Sequence, residues 1–495
     1  MFSFFFPSRL FFSQYQNLLA FLLNLHHHSL AIKTTKNANT TTRTFNCISV
    51  VPLAADIVRE LTPSGQEAPK LASVLLVTIW ELGEAAGPLI IAPLSEMFGR
   101  SPVMNSANWL LILATVLAAT ATSVPTLITA RALTGLAVSS NVLNPAIIGD
   151  MFPKDSRGSA VSVTFLAPLV GGAVAPAIAA ALAERIGWRN VIWTSAVLSA
   201  VCEVLFMVCF RETYKVAILR KRRAAKIRAA NKTNTQAARL LQTVRRADSD
   251  GLCKEESVWK KLRDSMLRPF MVVFGSGVLL ILALLGSVTF SFFYVMSVTL
   301  PDIAGGIYHL SPATAGMCFL GFTCGSTFGV YTCNRNVDRI YVKLREADAK
   351  EKNLSPEDVV GLPEFRLPLS VVGAFILPVA VAGYGWVAQL QLPLPFLLGC
   401  CALLGFSAML TLIPIMAYVV DAFGIFSASA MTGVIVSRCL MGTFLPLAVA
   451  PLVENFGYGW GFTVFATLSL CLAPISWLVL RYGAKWRQYS QYSRE

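Results

Sequence analysis

Long apolar stretches separated by short polar turns dominate the pattern of this chain. Eleven of these stretches approach or exceed the roughly 20 residues that a helix needs to cross a bilayer. They are residues 71–93, 104–123, 125–149, 158–182, 188–210, 269–297, 309–333, 367–390, 393–418, 424–448 and 460–482. Barrel strands would alternate apolar and polar residues, and these stretches do not. The pattern therefore predicts an all-α polytopic membrane protein.

Two longer polar segments, 211–268 and 334–366, interrupt the series. The first divides the chain into two hydrophobic halves, as in transporters built from paired repeats. The predicted organisation is an atypical tail, an N-terminal helical bundle, a basic cytoplasmic linker, a C-terminal helical bundle and a cytoplasmic tail. These occupy residues 1–49, 50–210, 211–268, 269–482 and 483–495.

The N-terminal end does not supply the first helix that an even helix count requires. Polar residues interrupt the apolar pieces of residues 1–30, and the stretch 33–46 is too polar to cross a bilayer. Residues 50–61 resemble the outer end of a first helix whose body is absent. Two interpretations stay open: the first exon is wrong or truncated, or residues 1–30 form a poor first helix. Either way, the first helix is predicted to be poorly formed or missing.

Composition and charge support the membrane interpretation. Of the 495 residues, 55% are hydrophobic and only 14% are charged, against about 25% charged in soluble domains. The net charge is +14, but most of the Lys and Arg residues lie on one side of the predicted membrane. With the turn at 94–103 in the cytoplasm, 31 of them are cytoplasmic and four lie on the other side. This distribution fixes the orientation and argues against nucleic-acid binding.

Two glutamates stand out inside a predicted span. Glu81 and Glu84 lie roughly 15 Å deep at 1.5 Å per residue, and their spacing puts both on one helix face. Two ionised carboxylates in a low-dielectric site repel, so at least one should hold a proton. Arg131, within the next span but one, costs roughly 2.5–3.5 kcal/mol to insert and therefore needs a partner. The two glutamates are proton-coupling candidates, with protonated or paired structural groups as the alternative, and Arg131 is either a functional or a paired structural charge.

The first cytoplasmic turn carries a second group of candidates. Glu96, Gly99 and Arg100 lie at this turn, and Asp150 and Arg157 lie at the next cytoplasmic turn. Glycine permits the tight turn between two helices. Ion networks that form and break give two discrete arrangements, which a conformational switch requires.

The stretch from Gly87-Pro88 to Pro93-Leu94-Ser95-Glu96 and Gly99-Arg100 resembles the second helix of fungal major-facilitator drug/proton antiporters of the twelve-spanner type. Their signature reads GP-x-x-x-x-PLSE-x-x-GR. The resemblance continues through RALTG (131–135), GDMF (149–152), GWR (187–189), ETY (212–214), PEFRL (363–367) and YVVDAF (418–423). It runs from about residue 50 to the end of the chain. It implies the major facilitator fold, with two six-helix bundles around a central cavity that opens to alternate sides.

The resemblance also assigns roles. It implies that Arg131 takes part in proton transfer and that the Glu96–Arg100 turn latches the outward-facing state. Antiporters of this group carry a GP-x-x-GG-type motif in the fifth helix. Here Gly171, Gly172 and Pro176 remain, with alanines at three expected glycine positions, which weakens the assignment as an antiporter. Asn144 and Arg438 are further cavity candidates.

The expected function is proton-antiport export of small hydrophobic molecules such as drugs or secondary metabolites. Uptake or transport of a dedicated solute, for example a polyamine, is one alternative, and a non-transporting membrane protein is another. The chain contains no P-loop, and no enzyme activity, catalytic residue, cofactor or metal is expected. A monomer in the plasma membrane is predicted, with the vacuolar membrane as the alternative location. The basic run 220–228 is a candidate for anionic lipid.

Overall fold

The computed structural model describes residues 39–62, 70–143, 147, 171–172, 175–210, 212–214, 217–219, 222, 258–352 and 361–492. Every regular element among them is a helix. The longer helices are α1 (39–48), α2 (Ala54–Leu61), α3 (Lys70–Phe98), α4 (Arg100–Ala119), α5 (Val124–Val138), α6 (175–186), α7 (Trp188–Cys209), α8 (Val258–Phe274), α9 (Gly277–Gly306), α10 (Pro312–Met317), α11 (Phe319–Glu351), α12 (Pro368–Gln389), α13 (Leu394–Phe423), α14 (Ser427–Phe444), α15 (Val449–Leu472) and α16 (Pro474–Arg487).

Most predicted spans correspond to long apolar helices. Eight helical runs of the described residues are long and apolar enough to cross a membrane. One of them, Ser427–Arg487, covers the last two predicted spans. The predicted span 125–149 corresponds to the shorter α5, followed by a 3-10 turn at Ser139–Val142. Much of the predicted span 158–182 lies outside the described residues. The prediction of a polytopic helical protein is therefore confirmed.

One predicted span begins at the wrong residue. The apolar run 269–297 was expected to form a single helix, but the chain breaks at Gly275 and Ser276 between α8 and α9. Ser276 has an extended backbone, with φ −132° and ψ 106°. Residues 269–274 therefore belong to α8 and are separate from the long helix that follows.

The polar segment before residue 50 is helical and buried. Asn39, Thr42, Arg43 and Asn46 of α1, which the sequence analysis placed in the N-terminal tail, have 5%, 5%, 0% and 5% of their surface exposed. A turn at residues 49–50, a 3-10 turn and α2 continue its course. Polarity alone did not indicate this burial, because these side chains face polar groups of other helices. Residues 1–38 lie outside the described part of the chain.

The partners of α1 form a buried polar cluster. Arg43 donates a hydrogen bond to Asn108 of α4, and Asn108 donates one to Glu203 of α7. Asn46 Nδ2 lies 2.8 Å from Ser199 Oγ, also on α7. A buried charge requires a partner of opposite charge or hydrogen bonds, and this cluster supplies both kinds of group. Glu203 is only 1% exposed.

Helices α3 and α5 touch backbone to backbone. A side-chain carbon added at Gly83 would lie 2.1 Å from the carbonyl oxygen of Ala132, and one added at Gly135 would lie 1.7 Å from that of Trp80. Small residues permit this approach between helices in a membrane. The contact fixes Arg131, one turn from Gly135, relative to the glutamates of α3.

The first half (39–222) and the second half (258–492) meet along several helices. Near the centre, α3 packs against α14 and α9. A second contact between the halves lies near the end of α6, where Glu184 Oε1 is 3.0 Å from the backbone nitrogen of Ala313 at the start of α10. One buried hydrophobic cluster contains side chains of both halves, including Trp80 and Phe292.

We expect Gly135→Ala to destabilise the protein by about 1–3 kcal/mol, as overpacking does, because the added carbon forces α3 away from α5. The measurement is thermal unfolding of the purified protein in detergent. Gly399→Ala is the matched control, since a carbon added at Gly399 meets no atom within 4 Å. Equal unfolding temperatures for the two variants would contradict the close contact.

Candidate functional site

Glu81 and Glu84 of α3 lie at the boundary between the two halves. Glu81 is 0% exposed and accepts a hydrogen bond from the hydroxyl of Tyr294 on α9. Glu84 Oε1 lies 3.6 Å from Arg438 Nη2 on α14. Both carboxylates of the first half therefore bind side chains of the second half. The shared helix face that their spacing predicted is present in the structure.

Arg438 joins this pair to a third polar group and to an aromatic ring. Its guanidinium lies 4.2 Å from the centre of the Phe290 ring. Next along α14, the Cys439 sulfur and one oxygen from each of Glu81 and Glu84 lie within 4.8 Å of one another. Such a trio could hold a metal ion, but the positive charge of Arg438 beside Glu84 reduces the attraction for a divalent cation.

Tyr294 is the centre of an aromatic cluster. Its ring lies 6.1 Å from that of Trp80, 5.6 Å from Phe290 and 5.1 Å from Phe293. Phe293 in turn lies 5.0 Å from Phe322 of α11. Tyr294 was not among the predicted site residues, although it is the one phenol in the aromatic run Phe290-Ser-Phe-Phe-Tyr. The glutamates thus lie beside a predominantly apolar wall.

Arg131 of α5 binds backbone carbonyls. It donates hydrogen bonds to the carbonyl oxygens of Asn46 and Cys47, and its Nε lies 3.4 Å from that of Leu76 on α3. The first two carbonyls lie in the last turn of α1, where backbone carbonyls have no helical N–H partner. Among the residues that the structure describes, Arg131 forms no ion pair with a carboxylate. The guanidinium of Arg131 therefore satisfies carbonyl groups at the end of α1.

A small cavity adjoins Arg131 inside the first half, with apolar as well as polar side chains in its wall. Its walls come from α1, α4, α5 and α7 and include Asn46, Ser49, Thr115, Thr134 and Ser195. The hydroxyls of Thr115, Thr134 and Ser195 donate to carbonyls one turn earlier in their own helices. The hydroxyl protons of these three residues are therefore already used within their own helices.

The turn between α3 and α4, predicted to be cytoplasmic, is organised by a residue outside the predicted network. Gly99 has φ +103°, which disfavours other residues. The carboxylate of Glu212 accepts the backbone N–H groups of Arg100 at 2.9 Å and Ser101 at 3.2 Å, which begin α4. An anion at a helix N-terminus satisfies free N–H groups and the helix dipole. The Arg100 guanidinium lies 5.0 Å from the ring centre of Tyr214.

The remaining predicted site residues divide into two groups. Gly171, Gly172 and Pro176 are helical, and Pro176 is buried; a side-chain carbon added at Gly316 of α10 would lie 2.7 Å from the Pro176 carbonyl oxygen. This places Pro176 against the second half. Glu96 lies in α3, but its side chain is outside the described part of the structure, as are Asn144, Asp150 and Arg157 entirely.

Ion pairs also organise the end of the second half where α11 and α13 end and α12 begins. Arg366 binds Asp338 of α11 at 2.8 Å and Asp421 of α13. Arg487, near the end of α16, binds Glu364 at 2.8 Å, with both side chains buried. The motifs PEFRL and YVVDAF thus meet through their charged residues.

A bundle of membrane-length helices with buried charges between its halves defines a polytopic membrane transporter. The family model described as Major Facilitator Superfamily matches residues 40–446. The chain therefore belongs to the Major Facilitator Superfamily, a family of transporters rather than enzymes.

Curated relatives agree with this assignment. The chain is 30% identical over 419 residues to the MFS transporter cpaT of Aspergillus oryzae, which covers 84% of this chain and 80% of the relative. It is 28% identical over 451 residues to the efflux pump radE of Floropilus chiversii, covering 90% and 79%. The predicted resemblance to fungal major-facilitator transporters is confirmed.

Solved structures share the fold. A D-xylose–proton symporter superposes with a TM-score of 0.65 at 15% identity, over 91% of this chain and 98% of the symporter. The human organic anion transporter MFSD10 gives 0.59 at 15% identity, over 90% and 99%. The predicted major facilitator fold is confirmed by these matches.

We expect Gly99→Ala to destabilise the protein more than Gly187→Ala. Both glycines precede a helix with positive φ, but only at Gly99 would the added carbon meet another residue, 2.3 Å from Glu212 Oε2. Gly187→Ala therefore measures backbone strain alone, about 1–3 kcal/mol. The readout is the unfolding temperature, and the excess cost of Gly99→Ala should disappear in a Glu212→Ala background. An unchanged excess in that background would contradict the role of Glu212.

Proposed function

We propose that this chain exports small hydrophobic molecules in exchange for protons, by alternating access between two six-helix bundles. In this proposal α1 and α2 form the first helix of the N-terminal bundle. The observation that carries the proposal is the contact of buried Glu81 and half-buried Glu84 of one half with Tyr294 and Arg438 of the other. Protonation at this place changes the attraction between the moving parts.

The charge balance of the site favours exchange of a proton. Arg438 can neutralise one of the two carboxylates, and the second must hold a proton or bind a cation, because an isolated buried charge is costly. A proton arriving at Glu84 would abolish its attraction to Arg438. A proton leaving Glu81 would create repulsion between the two carboxylates. Either event shifts the balance between two arrangements of the halves.

The surroundings of the glutamates favour a hydrophobic cargo. Trp80, Phe290, Phe293 and Tyr294 supply large apolar surfaces at the same place. Ligand sites are commonly apolar, with a few polar groups that fix orientation. The relative from Floropilus chiversii is named an efflux pump, and that name supports the outward direction. A plasma-membrane location and a monomeric state remain predictions.

The cytoplasmic turn supplies the second element of the mechanism. We propose that the Glu96–Arg100 turn, with Asp150 and Arg157, acts as the conformational switch that the family resemblance implies. In the described residues, Glu212 and Tyr214 already hold Arg100 and the start of α4. Release of these contacts would let the end of α3 move relative to α7.

We expect Glu81→Gln/Glu84→Gln to abolish proton-driven transport while substrate exchange without a gradient continues. Amides keep the size of the carboxylates but cannot take up protons. The measurement uses proteoliposomes with an imposed pH gradient and a panel of lipophilic fluorescent compounds, followed by compound movement and by internal pH.

The matched control is Glu346→Gln, which removes an exposed carboxylate from the cytoplasmic extension of α11. It should transport like the parent protein. Gradient-driven transport by the double glutamine variant would refute the role of the two glutamates. Compound movement by the parent protein that does not depend on the pH gradient would refute proton antiport. If the parent protein moves none of the compounds, the non-transporting alternative is favoured.

A further inference from the structure

Helix α8 has two different faces. Pro269, Val272 and Val273 are buried, and a carbon added at Gly433 of α14 would lie 2.2 Å from Val273 Cγ2. The opposite face exposes four large apolar side chains at helical spacing, and their exposed fractions are 48%, 37%, 50% and 72% for Leu267, Phe270, Met271 and Phe274. Such a stripe on a helix is buried against protein or lipid rather than left in water.

The length of α9 indicates that the exposed apolar stripe of α8 lies at the boundary of the membrane. From Gly277 to Gly306, α9 has 30 residues, or about 45 Å at 1.5 Å per residue, which exceeds the roughly 30 Å of the hydrocarbon core. The helix that follows the bend at Gly275 and Ser276 therefore crosses the bilayer by itself. Helix α8 is left at the cytoplasmic end, where the charge distribution along the chain puts residue 268.

The C-terminal segment holds this bend in place. Ser490 Oγ donates a hydrogen bond to the Gly275 carbonyl oxygen at 3.0 Å. A carbon added at Gly275 would lie 2.6 Å from the Tyr492 ring. The same ring packs edge-on against Phe426 at 5.4 Å. The angle between α8 and α9 is thus fixed from the cytoplasmic side.

The charged residues of α8 indicate what covers its exposed apolar face. The sequence of α8 contains Lys260, Lys261, Arg263 and Arg268 against a single acidic residue, Asp264. Two copies of such a helix would bring like charges together. The cytoplasmic leaflet offers negative headgroups above an apolar layer, and helices with basic residues and an apolar stripe lie in that plane.

We propose that α8 is a membrane-surface helix whose stripe, Leu267, Phe270, Met271 and Phe274, enters the cytoplasmic leaflet, while Arg263 and Arg268 bind anionic lipid headgroups. The proposal does not depend on the direction or energy source of transport. Because α8 contacts both α3 and α14, headgroup binding would act on the two halves at once.

The first test locates the stripe in nanodiscs that contain the full chain. Phe270→Trp should be quenched by phospholipids brominated near the headgroup and protected from iodide. Tyr489→Trp is the matched control in water, since Tyr489 is 89% exposed in the C-terminal segment. Its emission should be quenched by iodide and not by the brominated phospholipids. Emission of the parent protein is subtracted from both variants. Iodide quenching of Phe270→Trp would overturn the proposal, as would protection from both quenchers, which indicates a protein partner or a second copy.

The second test measures the headgroup contacts. Native mass spectrometry of the protein in mixed phosphatidylcholine and phosphatidylserine should show weaker phosphatidylserine binding for Arg263→Gln/Arg268→Gln, by about fivefold per residue. Arg185→Gln removes an exposed charge at the opposite face and should bind as the parent does. Unchanged binding by the double variant would overturn the headgroup contacts.

Discussion

The ion pair between Glu84 and Arg438, together with the neighbouring Glu81–Tyr294 hydrogen bond, governs how the two halves of this transporter meet. Charges inside a membrane protein are costly unless they are paired, and here the partners belong to different halves. Separation of the halves at this point would therefore expose an unpaired charge unless a proton or a cargo replaced the partner. The same constraint that stabilises the contact also makes it sensitive to protonation.

Hydrophobic pattern predicted most of the helices but could not predict how polar residues are satisfied. Apolar runs identified the long helices because lipid-facing and buried positions are both apolar in such proteins. The pattern failed for α1, since hydropathy counts Arg43 and Asn46 as unfavourable without knowing that Asn108 and Ser199 face them. It also merged α8 with α9, because the apolar residues 270–274 continue the composition of the helix beyond the bend.

The candidate site was predictable where it depended on spacing and not where it depended on distant partners. The three-residue spacing of Glu81 and Glu84 was sufficient to put them on one face of α3. Tyr294 lies 213 positions beyond Glu81, and no local pattern connects them. Arg131 illustrates the same limit, because the sequence indicates a buried charge in need of a partner but gives no sign that backbone carbonyls of α1 supply it. Its proton-transfer role therefore stays a prediction.

The buried cluster of Arg43, Asn108 and Glu203 has a consequence for biogenesis. Asn108 is synthesised 65 residues after Arg43, and Glu203 a further 95 residues later. Lipid is an unfavourable environment for α1 by itself, because its arginine and amide side chains lack partners there. The arginine of α1 therefore gains its full set of partners only after α7 has been synthesised, and we expect these helices of the N-terminal half to insert as a group rather than one by one.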